Sequence, residues 1–143
     1  MNDAWLTGYI DSWSGHYRVS GPEGEVHLAR LVAFMAHDVE YEDVPSGLVF
    51  VGHDGIRDMA IAACQMASDM SVEIGARVSG NGSFAFETVT TGTNDGAIGS
   101  VPASGRSFQI RGVSIGSVSD DGLVTRQRDY WDMAQLLRQL GLT

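Results

Sequence analysis

The chain has 143 residues, of which 43% are hydrophobic and 19% are charged, and its formal net charge is −9 at pH 7. This length suits one domain and is too short for two well-filled cores, and the composition is that of a globular protein rather than a disordered one. The acidic balance argues against non-specific nucleic-acid binding, which depends on Lys and Arg neutralising phosphates. We therefore expect a single domain over residues 1–143 that binds no nucleic acid.

Membrane and export signals are not found in the sequence. Every apolar stretch is far shorter than the roughly 18–20 residues that span a bilayer, and the N-terminus lacks the basic region and apolar run of a secretory signal. The single cysteine, Cys64, cannot form an internal disulfide, which fits a reducing compartment. We expect a cytoplasmic protein without membrane association.

Helices are predicted in the first half of the chain. Apolar residues recur at helical spacing in residues 3–14 and again in residues 28–35. The polar residues 15–24 between them contain a Gly-Pro pair and predict a loop. A third helix is indicated over residues 56–70, where apolar residues keep the i, i+3, i+4, i+7 spacing behind Asp54 as a candidate N-cap.

Alternation of apolar and polar residues predicts a series of strands after the third helix. These strands cover residues 72–78, 83–91, 107–118 and 123–130. Gly-containing turns at 79–82 and 119–122 join neighbouring strands, which is the signal for antiparallel hairpins. Two short strands, 39–44 and 48–51, precede the third helix, and a short helix that ends at Gly141 closes the chain. This order predicts an α+β fold, a cone in which a curved antiparallel sheet packs on N-terminal helices and leaves a pocket at its mouth.

Asp129, near the end of the last predicted strand, is the leading candidate for a catalytic residue. Side chains alternate across a sheet, so Asp129 shares a face with Gln127 and Thr125, opposite two arginines. On the concave face its carboxyl would lie in a largely apolar cavity, where desolvation raises the pKa toward the range useful for proton transfer. The alternative is an exposed residue or a helix cap, although Asp132 directly precedes the last helix and is the better cap candidate.

Tyr41 and Asp43 project from one face of the short strand before Pro45. If that face is concave, the site holds two carboxylates and a phenol, and paired carboxylates push each other's pKa values apart. The alternative for Asp43, which is equally open, is that it shapes the turn before Pro45. Trp13 and Trp131 are candidate pocket walls, because a first helix that closes a cone turns such rings inward.

Metal and nucleotide sites are not predicted. The histidines show no ligand-like spacing, and they stand at His16, His27, His37 and His53. The Gly-rich residues 92–105 lack the strand-to-helix setting of a phosphate loop. No cofactor is therefore implied.

The segment TRQRDYWDMAQLLRQLGL, residues 125–142, resembles the C-terminus of the SnoaL-like polyketide cyclases. These belong to the nuclear transport factor 2-like superfamily, which also includes limonene-1,2-epoxide hydrolases and ketosteroid isomerases. The resemblance extends to residues 41–56 and, more loosely, to residues 92–108. It implies one SnoaL-like domain with the cone-shaped, cystatin-like fold of that superfamily, and by analogy a homodimer, since the outer face of the sheet often pairs there.

The resemblance also implies a reaction. Asp129 matches the cyclase aspartate that serves as acid and base in an intramolecular aldol ring closure of a polyketide ester. Ser114 stands where the cyclases carry a histidine that faces this aspartate, so a hydrogen-bonding group replaces a titrating one. The leading expectation is a cofactor-independent cyclase that acts on a hydrophobic polyketide-like substrate, with the apolar pocket folding the substrate for attack.

Two other functions stay open. Tyr41, Asp43 and Pro45 match the spacing of the Tyr, Asn and Pro that position the attacking water in limonene-1,2-epoxide hydrolases, with Asp in place of Asn. The arginine and aspartate of their central strand have no counterpart in residues 83–91, where Glu87 is the charged residue and the candidate substrate contact. Hydrolysis or hydroxylation by a water held between the two aspartates and Tyr41 is the second expectation. A non-catalytic dimeric module that binds an apolar ligand is the third.

Overall fold

The computed structural model describes residues 3–16 and 21–142, and this part of the chain forms four helices and seven strands. The helices are α1 (Asp3–Trp13), α2 (Gly21–Val32), α3 (Gly52–Met66) and α4 (Met133–Gln139). The strands are β1 (Gly15–His16), β2 (Met35–Asp43), β3 (Leu48–Val51), β4 (Ser71–Gly80), β5 (Ser83–Thr93), β6 (Ser107–Val118) and β7 (Val124–Trp131). The predicted α+β class is confirmed.

One mixed sheet contains all seven strands, in the order β1-β4-β5-β6-β7-β2-β3. Neighbouring strands pair antiparallel, as predicted, with one exception: β2 and β7 run parallel. The prediction of an antiparallel sheet is corrected in this one pairing. Local turn signals report only which consecutive strands form hairpins, and β2 reaches β7 across the whole length of the meander.

The start of α2 differs from the prediction. The Gly-Pro pair assigned to a loop begins this helix, because Pro22 in a first turn needs no backbone N–H partner and its fixed φ suits a helix start. Of the predicted loop, residues 17–20 lie outside the described residues. Met35, predicted as the last apolar residue of the second helix, is instead the buried first residue of β2.

Helix α3 also begins and ends earlier than predicted. Its N-cap is Val51, without a side-chain cap hydrogen bond, so Asp54 lies inside the first turn and does not cap the helix. A carboxylate in that turn still complements the positive end of the helix dipole. The helix ends at Met66, and Met70 is buried from the connection to β4 rather than from the helix.

Several local predictions are confirmed by backbone geometry. Asn81 and Gly82, with φ of 54° and 71°, form the two-residue turn that joins β4 to β5. The carboxylate of Asp132 accepts a hydrogen bond from the backbone N–H of Gln135 and caps α4. Gly141 follows the end of α4 in the left-handed region, with φ of 73°.

Two apolar clusters fill the interior and leave a cavity between them. The larger cluster joins α1 to β2 and β5 and is rich in aromatic rings, with Tyr9, Phe84 and Phe86 at its centre. The smaller cluster joins the end of α3 to β6 and α4, with Phe108 and Leu136 as members. No helix in the described ranges has both the length and the apolar character needed to cross a membrane.

Gly116, in the middle of β6, makes room for side chains of the larger cluster. An added Cβ atom would lie 2.4 Å from the backbone oxygen of Arg126 and 2.4 Å from a ring carbon of Phe84. We expect Gly116→Ala to lower the free energy of unfolding by roughly 1–3 kcal/mol through overpacking, measured by urea denaturation. Gly80→Ala is the matched control, because a Cβ atom there meets nothing within 4 Å. Equal stability of the two variants would contradict this account of the core.

Candidate active site

A pocket of about 300 Å³ opens between α3, α4 and the concave face of the sheet. Its apolar walls include Trp13, Met59, Met66, Phe86, Phe108, Ile110 and Leu136. The charged residues among its described lining residues are Asp43 and Asp129, and none of these lining residues is Lys, Arg or His. The pocket is therefore apolar along its walls and acidic at one place.

Strand register brings the polar groups together at that place. One row of cross-strand neighbours runs over β5, β6, β7 and β2 through Phe86, Ser114, Asp129 and Asp43. The adjacent row runs over the same strands through Phe84, Gly116, Gln127 and Tyr41. Side chains in such rows lie within contact distance on one face of a sheet. The parallel pairing of β2 with β7 is what places Tyr41 and Asp43 beside Asp129.

Asp129 is partly buried and accepts three side-chain hydrogen bonds. The hydroxyl of Ser114 donates to Oδ1 at 2.6 Å, the Nε2 group of Gln127 donates to the same oxygen at 3.1 Å, and the hydroxyl of Tyr41 donates to Oδ2. Burial raises the pKa of the Asp129 carboxyl above its ordinary value, and the negative charge of Asp43 acts in the same direction. The three donors favour the charged form and offset only part of the effect of burial.

Asp43 lies at the pocket and also organises the turn that follows it. The indole N–H of Trp131 donates to its Oδ1 at 2.6 Å, and the hydroxyl of Ser46 donates to its Oδ2 at 2.5 Å. The backbone N–H of Gly47 donates to the Asp43 carbonyl oxygen at 2.9 Å. Asp43 therefore lines the pocket, as one interpretation predicted, and shapes the turn, as the alternative predicted. Each of its two carboxylate oxygens accepts one hydrogen bond.

The two predicted tryptophan walls line the pocket. Trp13, at the end of α1, stacks on the ring of Tyr41 with 5.7 Å between ring centroids and 24° between planes. Trp131, at the end of β7, is held by Asp43. A helix and a strand distant in sequence thus supply aromatic walls close to Asp129.

Glu87 is the one predicted site residue that lies outside the pocket. Its neighbours Phe86 and Thr88 line the pocket, and Glu87 is exposed on the opposite face of β5, in register with Val113 and next to Tyr130 in the same row. Period-two alternation forces this result, because residues on either side of an inward-facing position point away from it. The prediction that Glu87 contacts a substrate in the pocket is corrected.

Two polar residues of the site were not predicted. Gln127 is 1% exposed and Tyr9 is 0% exposed, and the hydroxyl of Tyr9 donates to Oε1 of Gln127. Gln127 carries a sequence signal, because it precedes Asp129 by two positions and so shares its face. Tyr9 carries none beyond the apolar spacing of α1, which favours a core residue.

Metal ligands do not converge in the described ranges, where no three side chains of His, Cys, Asp or Glu are placed to hold an ion. The side chain of His16 lies outside those described. His53, near the start of α3, bonds through its ring to the carbonyl oxygen of Met35 at 3.1 Å and does not line the pocket.

The raised pKa of Asp129 predicts a pH-dependent stability. Because the folded state holds the proton more tightly than the unfolded state, the folded protein loses stability as the pH rises from the unfolded value, about 3.9, through the raised folded value. Asp129→Asn lacks this loss. The free energy of unfolding of the variant should therefore rise relative to that of the wild type as the pH increases, by about 1.4 kcal/mol for each unit by which folding raises the pKa of Asp129.

Urea denaturation between pH 4 and pH 8 measures this difference. Asp120→Asn, in the exposed turn before β7, is the control and should follow the wild-type curve. Parallel curves for Asp129→Asn and the wild type would show that the folded state does not perturb Asp129.

The chain matches a known protein family along most of its length. The sequence profile of the SnoaL-like polyketide cyclases matches residues 23–140. The chain belongs to this family. The match includes every predicted site residue except Trp13 and confirms the family resemblance. No curated protein matches the chain significantly in sequence.

Solved structures share the SnoaL-like fold of the chain. TsrD from Streptomyces laurentii has a TM-score of 0.81 and 22% identity, with 100% of this chain and 99% of TsrD covered. A protein with a ketosteroid isomerase-like fold from Catenulispora acidiphila, in complex with trimethylamine, has a TM-score of 0.75 and 19% identity over 100% of this chain and 96% of its own. TerC, co-crystallised with polyporic acid, has a TM-score of 0.70 and 12% identity, with 96% of each chain covered. The TM-scores of 0.70–0.81 confirm the predicted fold.

Proposed function

We propose that this SnoaL-like protein is a cofactor-independent enzyme that cyclises a hydrophobic polyketide-like substrate by an intramolecular aldol reaction, with Asp129 as acid and base. One observation carries the proposal: a carboxyl group with a raised pKa stands at the polar end of an otherwise apolar pocket. A carboxyl in such an environment exchanges protons nearer to neutral pH than an exposed one.

The reaction needs proton transfers and one new carbon–carbon bond. An oxygen of the Asp129 carboxylate takes a proton from a substrate carbon that neighbouring carbonyl groups make acidic, so that a C–H bond breaks and an O–H bond forms. The resulting enolate carbon attacks a carbonyl carbon of the same molecule, and the oxygen of that carbonyl takes the proton back from Asp129. The product is an isomer of the substrate, and no electrons are gained or lost.

Two groups on neighbouring strands assist Asp129. The hydroxyl of Tyr41 donates to Oδ2 and, once Asp129 carries the proton, is free to donate to the enolate oxygen instead. The hydroxyl of Ser114, which is buried, holds Oδ1 at 2.6 Å and does not titrate. Ser114 therefore fixes the carboxyl in place of the histidine that the cyclases carry.

The pocket favours an uncharged, largely apolar substrate. Its described lining residues offer two aspartates and no cationic side chain, so a carboxylate or phosphate placed next to Asp129 would lose hydration and gain no partner. Aromatic walls at Trp13, Phe86 and Trp131 suit flat ring systems. The trimethylamine and polyporic acid of two structural neighbours support small-molecule binding by this fold.

Hydrolysis in the same pocket, such as the opening of an epoxide by water, is the second candidate, because Tyr41, Asp43 and Asp129 converge there. Asp43, however, already receives donors on both carboxylate oxygens, from Trp131 and Ser46. Each of these oxygens keeps a second lone pair, so a water held there would be a third hydrogen-bond partner beside Trp131 and Ser46. We rank cyclisation first because the matched family is that of the SnoaL-like polyketide cyclases, and because Trp131 and Ser46 give Asp43 a structural role at the turn after β2.

Mass spectrometry separates the candidates. The protein is incubated in ¹⁸O-labelled water with methyl esters of polyketide-type diketones and anthraquinones, and with epoxides of cyclic terpenes. We expect the methyl esters to give a product of unchanged mass, or one that has lost water after ring closure. We expect no product from the epoxides. A product of the epoxides that is heavier by one ¹⁸O-labelled water would favour hydrolysis, and no conversion in any set would favour the non-catalytic binding module.

We also propose a homodimer that pairs through the outer face of the sheet. Val78 on β4, Val113 and Ile115 on β6 and Tyr130 on β7 expose apolar surface there. Ala85 on β5 lies in register between Val78 and Ile115. Sedimentation should give twice the chain mass of 15.3 kDa. Ile115→Glu should shift the wild-type dimer toward monomer, and a wild-type species of single-chain mass would contradict the proposal.

A further inference from the structure

A second polar layer lies directly behind Asp129. Gln127, one pair of residues earlier on the same face of β7, directs its Nε2 group to Oδ1 of Asp129 at 3.1 Å. Its Oε1 atom accepts a hydrogen bond from the hydroxyl of Tyr9, which comes from α1, 118 positions away in sequence. Both side chains are almost fully excluded from solvent. The catalytic carboxyl is thus connected to the first helix by two hydrogen bonds in series.

Only one orientation of the Gln127 amide satisfies both neighbours. Burial raises the pKa of the Tyr9 hydroxyl well above its ordinary value, so this group keeps its proton and acts as a donor. A reversed amide would turn an oxygen toward the Asp129 carboxylate and an NH₂ group toward that donor. An acceptor would then face an acceptor, and a donor would face a donor, within the buried interior. Both hydrogen bonds would be lost.

The ring of Tyr9 has little freedom to move. It packs against Trp5, Phe34 and Phe84 with centroid separations of 5.4–5.7 Å, and against Trp13 at 6.4 Å. On the other side of Gln127, the register pairs this residue with Gly116, where no side chain competes for the space. The aromatic cluster therefore fixes the position of the Tyr9 hydroxyl, and the hydrogen bond from this hydroxyl fixes the orientation of the Gln127 amide.

We propose that Tyr9 and Gln127 are positioning residues, and that their hydrogen-bond series fixes Oδ1 of Asp129 and directs Oδ2 to the substrate. Oδ1 already has two donors, Ser114 and Gln127, so it has no lone pair suitably placed for a substrate proton. Oδ2 has Tyr41 alone among the described side-chain donors. The catalytic part of this inference rests on the proposed function, whereas the hydrogen-bond series does not.

The titration of Asp129 reports on this series. The other titratable groups that face its carboxyl are Tyr41 and Asp43 from β2, with Tyr9 behind Gln127 from α1, and no described lining residue is basic. Tyr9→Phe keeps the ring and removes the donor, so that the amide is free to turn and the carboxylate loses part of its support. Gln127→Met keeps the size and removes the amide, so that the support is lost directly.

The experiment is a ¹³C NMR titration of the aspartate carboxyls, with Asp129 assigned from the missing signal of Asp129→Asn. We expect the midpoint of Asp129 to move to higher pH in Tyr9→Phe, and to move further in Gln127→Met. Thr7→Val, which removes a hydroxyl from the exposed side of α1, is the control and should leave the midpoint unchanged. Circular dichroism confirms that each variant is folded, and two independent variants keep the test valid if one is not.

Kinetics provide the second readout once a substrate is found. We expect Tyr9→Phe to lower kcat by about tenfold with little change in KM, and to shift the pH–rate profile in the direction of the NMR midpoint. A shifted midpoint without turnover by the wild type on any substrate would support the hydrogen-bond series and count against the proposed function. An unchanged midpoint in folded Tyr9→Phe and Gln127→Met would overturn the positioning role.

Discussion

Asp129→Asn should lower turnover by about 10²–10⁴-fold and leave ligand affinity within a few-fold of the wild type. The amide has nearly the size and shape of the carboxyl group, so the pocket keeps its form. It cannot accept and return a proton, which is the step assigned to Asp129. Measured kcat and the dissociation constant of a product-like ligand give the two halves of this result.

The control for this variant is Asp120→Asn, an exposed change of the same chemistry outside the pocket. It should leave both quantities unchanged. If Asp129→Asn retains more than about a tenth of wild-type turnover, Asp129 is not the acid and base. If it loses ligand affinity to the same degree as turnover, the residue serves binding rather than proton transfer.

Ala63→Phe should weaken ligand binding by at least about tenfold, since steric differences of even one methylene in a close-fitting pocket are worth about 10–200-fold. Ala63 lines the apolar wall on α3, and a phenyl ring there would take up a large share of the 300 Å³ cavity. Turnover at a fixed substrate concentration should fall with binding. Isothermal titration calorimetry with an anthraquinone-like ligand measures the change.

Gln65→Phe adds the same ring on the exposed side of α3 and is the matched control. It should bind ligand as the wild type does. Unaltered affinity in folded Ala63→Phe would show that the ligand does not occupy the cavity described here. Asp129→Asn and Ala63→Phe together separate the two roles of the site. Asp129→Asn removes the proton-transfer group and keeps the pocket, whereas Ala63→Phe fills the pocket and keeps the proton-transfer group.

Local features of the fold were predictable because local forces determine them. Period-two alternation gave β4 to β7 within a few residues, and the cap at Asp132 and the turn at Asn81 follow from short-range hydrogen bonding and backbone conformation. Helix ends were less predictable. Apolar spacing continued past the end of α3, because Met70 is buried from a connection rather than from the helix.

Long-range contacts of the site were not predictable in the same way. Asp129 was identified from its position on the last strand and from the resemblance to the cyclases. Tyr41 and Asp43 on β2 were placed in the site only if their face of the strand was the concave one. The parallel pairing of β2 with β7, which satisfies that condition, leaves no local pattern in the sequence. Tyr9 reaches Gln127 across 118 positions for the same reason.

Glu87 was selected for its charge, although the alternation of side chains along β5 predicts that it points away from the pocket. It was selected as the charged residue of its strand, in the region where related hydrolases carry an arginine and an aspartate. The buried residues Phe84 and Phe86 determine which face of β5 points inward, and alternation then puts Glu87 on the other face. Periodicity was the better guide at this position.

A crystal structure with a bound tricyclic, anthraquinone-like ligand tests the role of Asp129 most directly. We predict that a carbonyl oxygen or an acidic carbon of the ligand lies within contact distance of Oδ2 of Asp129, with the hydroxyl of Tyr41 beside it. The apolar rings should extend along Met59 and Phe108. A ligand bound outside this pocket, or one inside it whose polar groups turn away from Asp129, would contradict the proposed acid and base role.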